Sequence, residues 1–99
     1  MKAWKQFEAD AAALFKTKRF WANSGERLDF AGVVNSLNGE PRKVYGQCKL
    51  VKSLSLEALT KLAEEPGVDV VCVKVRRGAG NPSPALVVMT FANYQRLHG

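Results

Sequence analysis

The fold of this chain is decided by residues 44–51, which read VYGQCKLV. Successive side chains of a β-strand point to opposite faces of a sheet. The two faces of this stretch would therefore carry Val44, Gly46, Cys48 and Leu50 on one side, and Tyr45, Gln47, Lys49 and Val51 on the other. The alternation predicts a strand that presents an amide and an ammonium group on one face.

A turn signal places a second strand beside this one. Asn38-Gly39 is typical of a β-hairpin, and it would fold Leu28-Asp29-Phe30 back against residues 44–51. Leu28-Asp29-Phe30 alternates apolar, acidic and apolar residues, as a strand would. Val33-Val34 extends or follows that strand.

Three helices are predicted around the strands. Apolar residues at three- and four-residue steps predict the first helix over residues 4–15. Ser53 or Ser55 can cap a second helix, whose apolar stripe begins at Leu56, and Thr90 can cap a short last helix.

Two further runs, residues 68–75 and 86–89, are almost continuously apolar and predict strands that are covered on both faces. The expected order is α-β-β-β-α-β-β-α, which is an α/β fold with a mixed sheet flanked by helices. No repeat or linker divides the sequence, so residues 1–99 are predicted to form a single domain.

The amino-acid composition favours some classes of function and argues against others. Fifteen Lys and Arg against nine Asp and Glu give a net charge of +6, which favours a polyanionic partner such as nucleic acid. No apolar run approaches the roughly 20 residues of a membrane span, and the polar N-terminus does not resemble a signal peptide. Cys48 and Cys72 lack metal-type spacing and are predicted to be reduced core residues of a cytoplasmic protein.

Four polar residues stand where the pattern asks for apolar ones, namely Glu8, Asp29, Gln47 and Lys49. The predicted hairpin would bring two carboxylates, an amide and an ammonium group towards one point. Carboxylate and carbonyl oxygens are ligands that Mg²⁺ prefers, and a lysine beside the metal can orient water or stabilise an oxyanion. This set is suited to phosphodiester cleavage.

These residues resemble the signature of the PD-(D/E)XK nucleases. Asp29 followed by Gln47-Cys48-Lys49 is similar to the QxK variant, which also occurs in Mrr-type restriction enzymes. Glu8 matches the glutamate on the first helix of that family, and the element order is similar to its restriction-endonuclease-like αβββαβ core. The small size and residues 19–25 (RFWANSG) resemble the Holliday junction resolvases of archaea and phages.

The resemblance implies a metal-dependent DNA endonuclease that uses Mg²⁺ or Mn²⁺ and is specific for branched DNA. Asp29 would be the central metal ligand, and Gln47 would supply an amide oxygen in place of the usual carboxylate. The backbone carbonyl of Cys48 would complete the shell. Glu8 would bind the metal directly or through water, and Lys49 would position the attacking water.

One more residue and two departures complete the comparison with that family. Ser24 matches a loop serine that assists catalysis in the resolvases. Leu28 stands where the family signature has proline, and Gln47 is neutral, so the site has one negative charge fewer and should hold Mg²⁺ more weakly.

Basic residues near the predicted site are expected to meet DNA phosphates. The set is Lys16, Lys18, Arg19, Arg27, Arg42, Lys43, Lys52, Arg76 and Arg77. A homodimer is also expected, because a chain this short buries only a modest core and two sites would cut symmetric strands of a branched substrate. The host would be a bacterial, archaeal or phage-infected cell.

Each of these features also has a plainer interpretation. Glu8 can be a solvated helix residue, Asp29 can cap a turn, and Gln47 and Lys49 can face solvent on an edge strand. The basic residues can simply keep the surface soluble. The alternatives for the whole chain are a nucleic-acid-binding protein with a degenerate nuclease site, a nuclease for other modified or branched DNA or for RNA, and a structural or regulatory partner.

Overall fold

Four strands and three helices make up the computed structural model, which describes residues 3–16, 29–77 and 83–99. The helices are α1 (Ala3–Leu14), α2 (Leu56–Glu64) and α3 (Phe91–His98). The strands are β1 (Phe30–Asn35), β2 (Pro41–Val51), β3 (Val70–Val75) and β4 (Ala85–Val88). The α/β fold with a mixed, helix-flanked sheet is therefore confirmed.

The sheet has the order β1-β2-β3-β4, so β2 is an interior strand. β1 pairs antiparallel with β2, with Phe30 opposite Gly46. β2 pairs parallel with β3, with Cys48 opposite Cys72, and β4 returns antiparallel to β3. Because β2 is an interior strand, the alternation in residues 44–51 is not that of a half-exposed edge strand.

The number of strands before α2 differs from the prediction. Val33-Val34 extends β1 and does not form a strand of its own, so the described residues have two strands between α1 and α2 and not three. The hairpin itself is confirmed. Gly39 has φ of +86°, a left-handed conformation that glycine adopts without steric cost, and its N–H donates to Ser36 O at 2.9 Å.

The two faces of the sheet carry separate cores. α1 and α3 cover one face, where Phe7, Ala11, Phe15, Phe30 and Leu97 are buried together. α2 covers the other face, and its residues Leu59, Leu62 and Ala63 pack there against the sheet. Cys48 packs on the α1 face, whereas Val51 packs on the α2 face, in accord with the predicted alternation.

Helix α2 begins as predicted, with the Ser55 side chain accepting a hydrogen bond from Ala58 N at 3.1 Å. Thr90 caps α3 in the same way through Asn93 N. Leu56 is wrong as a core residue, because its side chain is exposed and the packing of α2 on the sheet involves Leu59, Leu62 and Ala63 instead. Within the described ranges, no helix combines the length and apolar character needed to cross a membrane.

β4 corrects a second prediction. Residues 86–89 were expected to be buried on both faces, but Leu86 and Val87 are exposed. The reason is that β4 lies at the end of the described sheet, where no further strand follows it. An apolar run alone does not distinguish an interior strand from an exposed edge.

Candidate active site

Asp29 lies immediately before β1, beside the interior strand β2. Its backbone N–H donates to Gly46 O at 2.9 Å. Phe30 is also opposite Gly46, so two successive residues face Gly46 here, and the Asp29 side chain reaches the backbone of Cys48. The structure therefore brings the predicted aspartate next to the predicted Gln47-Cys48-Lys49 segment.

The Asp29 carboxylate binds the backbone of β2. Its Oδ2 accepts a hydrogen bond from Cys48 N at 2.6 Å, and so takes the place that a backbone carbonyl of a longer β1 would occupy. The N–H and C=O of one strand residue point to the same side, so the Cys48 carbonyl also faces the Asp29 side. A carboxylate and a backbone carbonyl thus share this end of β1.

Two thiols lie beneath Asp29 on the α1 face. Cys48 and Cys72 are opposite each other on β2 and β3, and neither is in a disulfide. The hydrogen bond to Cys72, burial, and the negative charges of Asp29 and Glu8 all raise the pKa of the Cys48 thiol. The same sulfur–sulfur hydrogen bond lowers the pKa of Cys72, against the effect of burial. The pair therefore titrates as one unit.

Glu8 is near this cluster. It lies half-buried in the second turn of α1, and its charge acts on the Cys48 thiol together with that of Asp29. The charges of both predicted acidic residues therefore act on Cys48, which packs on the α1 face of β2.

Gln47 and Lys49 leave β2 on the opposite face. Alternation places them with Val51, which packs under α2. Lys49 lines an open groove of about 770 Å³, together with the α2 residues Ala58 and Lys61. The amide oxygen Oε1 of Gln47 is buried. Thus the predicted amide and ammonium share a face, as expected, but that face is not the one on which Glu8 lies.

The basic residues fall into two groups. Lys52, Arg76 and Arg77 are exposed and follow the ends of the parallel strands β2 and β3, where Arg76 N donates to Val51 O at 2.6 Å. Lys52 follows Gln47 by five residues, so the distance between them along the strand is roughly 16 Å.

The second group lies at the other end of the sheet. Lys43 is exposed there, and Lys16 follows Phe15, whose carbonyl oxygen accepts from Val33 N at 3.1 Å. Arg42 is already engaged, because it donates to the carbonyl oxygen of Arg96 and pairs with Glu40 at 3.3 Å. Ser24, Lys18, Arg19 and Arg27 lie outside the described residues.

The donor set suits a hard divalent cation. The carboxylates of Asp29 and Glu8, the amide oxygen of Gln47 and the carbonyl of Cys48 are all oxygen donors, which Mg²⁺ and Mn²⁺ prefer. Over residues 3–16, 29–77 and 83–99, no group of three or more His, Cys, Asp and Glu side chains is arranged to hold a metal ion. Gln47 lies on the opposite face of β2, so the donors on the Asp29 side are the two carboxylates and the Cys48 carbonyl.

Asp69 is a residue that the sequence reasoning missed. It precedes β3 as Asp29 precedes β1, and it binds the other side of β2. Its Oδ2 accepts from Tyr45 N at 2.8 Å, and its N–H donates to Tyr45 O at 2.8 Å. Arg96 of α3 forms an ion pair with it. Asp69 therefore fastens α3 to the sheet, and an aspartate immediately before a strand was the signal for it.

Comparison of the chain with protein-family models, with curated proteins and with solved structures gives no match.

Proposed function

We propose that the chain is a metal-dependent DNA endonuclease, of the PD-(D/E)XK type, that cuts branched DNA such as four-way junctions. The observation that carries the proposal is the position of Asp29. It lies immediately before β1, and its carboxylate accepts a hydrogen bond from Cys48 N of the interior strand β2 at 2.6 Å. Glu8 is close enough for its charge to act on the same residue.

The interior position of β2 supports this function over a plain structural one. Polar side chains on an interior strand lose solvent and need a partner or a role. Gln47 and Lys49 occupy successive positions of one face of β2, and the described residues have the family order α1, β1, β2, α2 and β3 with one strand fewer before α2.

Each residue has a proposed task. We assign the divalent cation to the Asp29 carboxylate, the Cys48 carbonyl and Glu8, and we leave the Gln47 amide out of the oxygen set because it lies on the opposite face of β2. When bound, Mg²⁺ lowers the pKa of a coordinated water and neutralises charge on the phosphate. Lys49 leaves β2 on the α2 face, so its ammonium group would approach the phosphate from the side opposite to Glu8. There it would orient the attacking water or donate to the phosphate oxygens as negative charge develops on them.

Charge supports a DNA substrate. The net charge of +6 and the exposed group Lys52, Arg76 and Arg77 give a surface that phosphates would contact. Such contacts predict affinity that falls steeply with salt concentration.

The second candidate is a nucleic-acid-binding protein that does not cut. Two observations favour it. The Asp29 carboxylate is engaged with Cys48 N, a role that needs no metal, and Lys49 lies in the groove beside α2 rather than on the Glu8 face. A protein of this class would bind junctions with the same salt dependence but without a metal requirement.

Cleavage of an end-labelled four-way junction separates the candidates. Wild-type protein should cut it with Mg²⁺ or Mn²⁺ and should not cut it in EDTA. Asp29→Asn keeps an oxygen acceptor for Cys48 N but removes the charge, and we expect it to lose ~100-fold or more of the rate. Junction binding in EDTA should remain within a few-fold of that of the wild type.

Lys49→Met tests the ammonium group, and Lys61→Met is its matched control, because both lysines line the same groove. Only Lys49→Met should abolish cleavage. Linear, forked and RNA substrates in the same panel define specificity. Metal-independent cleavage, or cleavage that survives Asp29→Asn, would contradict the proposal, and binding without cleavage on every substrate would establish the second candidate.

A further inference from the structure

The outer edge of β4 is unprotected in the described sheet. β4 pairs with β3 only, and its sequence, ALVV, contains neither a charge nor a proline. Those are the devices by which soluble proteins usually protect a free strand edge. The side chains are exposed on both faces, with Leu86 52% and Val87 44% accessible to solvent.

α3 continues this apolar surface. Phe91 is 95% exposed and Tyr94 58% exposed, and both line a groove of about 670 Å³ with Val87. Val87 lies opposite Cys72 of β3, so it shares the α1 face with the groove, whereas Leu86 emerges on the α2 face. The described lining residues of the groove carry no charge.

We infer that β4 and the Phe91–Tyr94 surface form a homodimer interface, in which β4 pairs antiparallel with β4 of a second copy. A two-fold axis perpendicular to the sheet would pass beside Val87, and the sheet would continue through eight strands. Antiparallel pairing about such an axis keeps directly opposed residues on the same face. The two Val87 side chains therefore meet, and the two aromatic pairs flank them.

The apolar area of this surface approaches that of a small specific interface. At 150–250 Å² for each aromatic side chain, the exposed parts of Phe91 and Tyr94 offer about 300 Å² per chain, or roughly 600 Å² in a pair. Leu86, Val87 and the β4 backbone bring this close to the ~1,000 Å² that a specific interface needs. The absence of charge from the described surface also matters, because two chains of +6 approach most easily where neither presents a cation.

The arrangement fixes the spacing of the two Asp29 residues. Both lie beside the outermost strands of the combined sheet, seven strand spacings of about 4.8 Å apart, which gives roughly 34 Å across the sheet. Both also lie on the same side of the dimer, because the axis is perpendicular to the sheet. This inference depends on the exposed edge alone and stands whether or not the chain cuts DNA.

Sedimentation equilibrium over a range of protein concentrations tests the interface. Wild-type protein should approach twice the chain mass of 10.9 kDa. Val87→Lys places a charge beside the axis, and Phe91→Ser removes the most exposed aromatic ring among the described residues. Each variant should raise the dimer Kd at least ~10-fold, as loss of a central apolar contact does.

Leu37→Ser is the matched control, since Leu37 is 91% exposed but lies in the β1–β2 turn. It should dimerise like the wild type. Thermal unfolding checks that each variant is folded, and Phe91→Ser keeps the test valid if Val87→Lys is unstable. A wild-type chain that stays monomeric at every concentration overturns the inference, as does a dimer that both β4–α3 variants leave intact. A monomer that instead captures an extended apolar peptide also overturns it.

Discussion

Replacing Asp29 by Ala and by Asn separates its structural role from its proposed catalytic one. In the wild type, Asp29 Oδ2 accepts from Cys48 N at 2.6 Å at the start of β1. Asp29→Ala leaves that half-buried N–H without its acceptor. Asp29→Asn retains a side-chain oxygen of the same reach, while it removes the negative charge.

The magnitude follows from the cost of leaving a buried donor unsatisfied, which is about 1–3 kcal/mol. Cys48 is only half-buried, so water can compensate in part, and we expect a loss of about 1–2 kcal/mol for Asp29→Ala. For a domain of this size, that corresponds to a fall in Tm of roughly 5–15 °C. Asp29→Asn loses only the charge assistance, so its Tm should fall by less than half as much.

Thermal unfolding by circular dichroism and junction cleavage should be measured on the same three proteins. The account predicts that Asn restores most of the stability but none of the cleavage. If Ala and Asn are equally stable, the hydrogen bond to Cys48 N does not hold this end of β1. If Asn cleaves as well as the wild type, the carboxylate charge has no catalytic task.

Three further substitutions and reactions test the fold around the site. Gly46→Ala should cost ~1–3 kcal/mol or more, because its methyl group would overlap the fully buried Phe30 ring; an unchanged urea midpoint would contradict this packing. Asp69→Ala should destabilise the protein more than Arg96→Ala. The Asp69 carboxylate also binds the β2 backbone, whereas its ion pair with Arg96 is half-exposed on the arginine side. If chemical denaturation shows Arg96→Ala to be the less stable variant, Asp69 does not have this role. The pKa of the Cys48 thiol is raised in the folded chain, so less thiolate is present. Iodoacetamide at pH 8 should therefore alkylate Cys48 at least ~10-fold more slowly in the folded protein than in urea, as measured by peptide mass mapping. Equal rates would refute the raised pKa.

Local signals in the sequence predicted the elements on which the site is built. Asn38-Gly39 identifies the hairpin because a left-handed glycine fits a tight turn. Ser55 and Thr90 identify the helix starts because their oxygens can accept the N–H groups that a first turn leaves unpaired. These features depend on residues three or four positions apart, so the sequence contains them directly.

The environment of each face could not be predicted in the same way. Alternation establishes that Gln47 and Lys49 share a face, but the choice between α1 and α2 as the cover depends on how α2 crosses the sheet. Likewise, Leu86 and Val87 resemble an interior strand, and only the order of the four strands reveals that they are exposed.

Contacts between distant segments account for the remaining differences. The juxtaposition of Cys48 and Cys72 depends on the register of two parallel strands, which apolar runs leave undetermined because many registers bury the same side chains. The task of Asp69 depends on α3 returning across the sheet to bring Arg96 to it. Both contacts join residues that are far apart in the sequence, so neither can be predicted from the pattern of neighbouring residues.

Binding of Mn²⁺, followed by the loss of its free electron paramagnetic resonance signal on titration with protein, tests the central claim most directly. The account predicts one Mn²⁺ for each wild-type chain, displaced by Mg²⁺, with affinity reduced at least ~10-fold in Asp29→Asn and in Glu8→Gln. Undiminished free Mn²⁺ in the presence of wild-type protein, or binding that neither substitution weakens, would contradict the assignment of these carboxylates to a metal site.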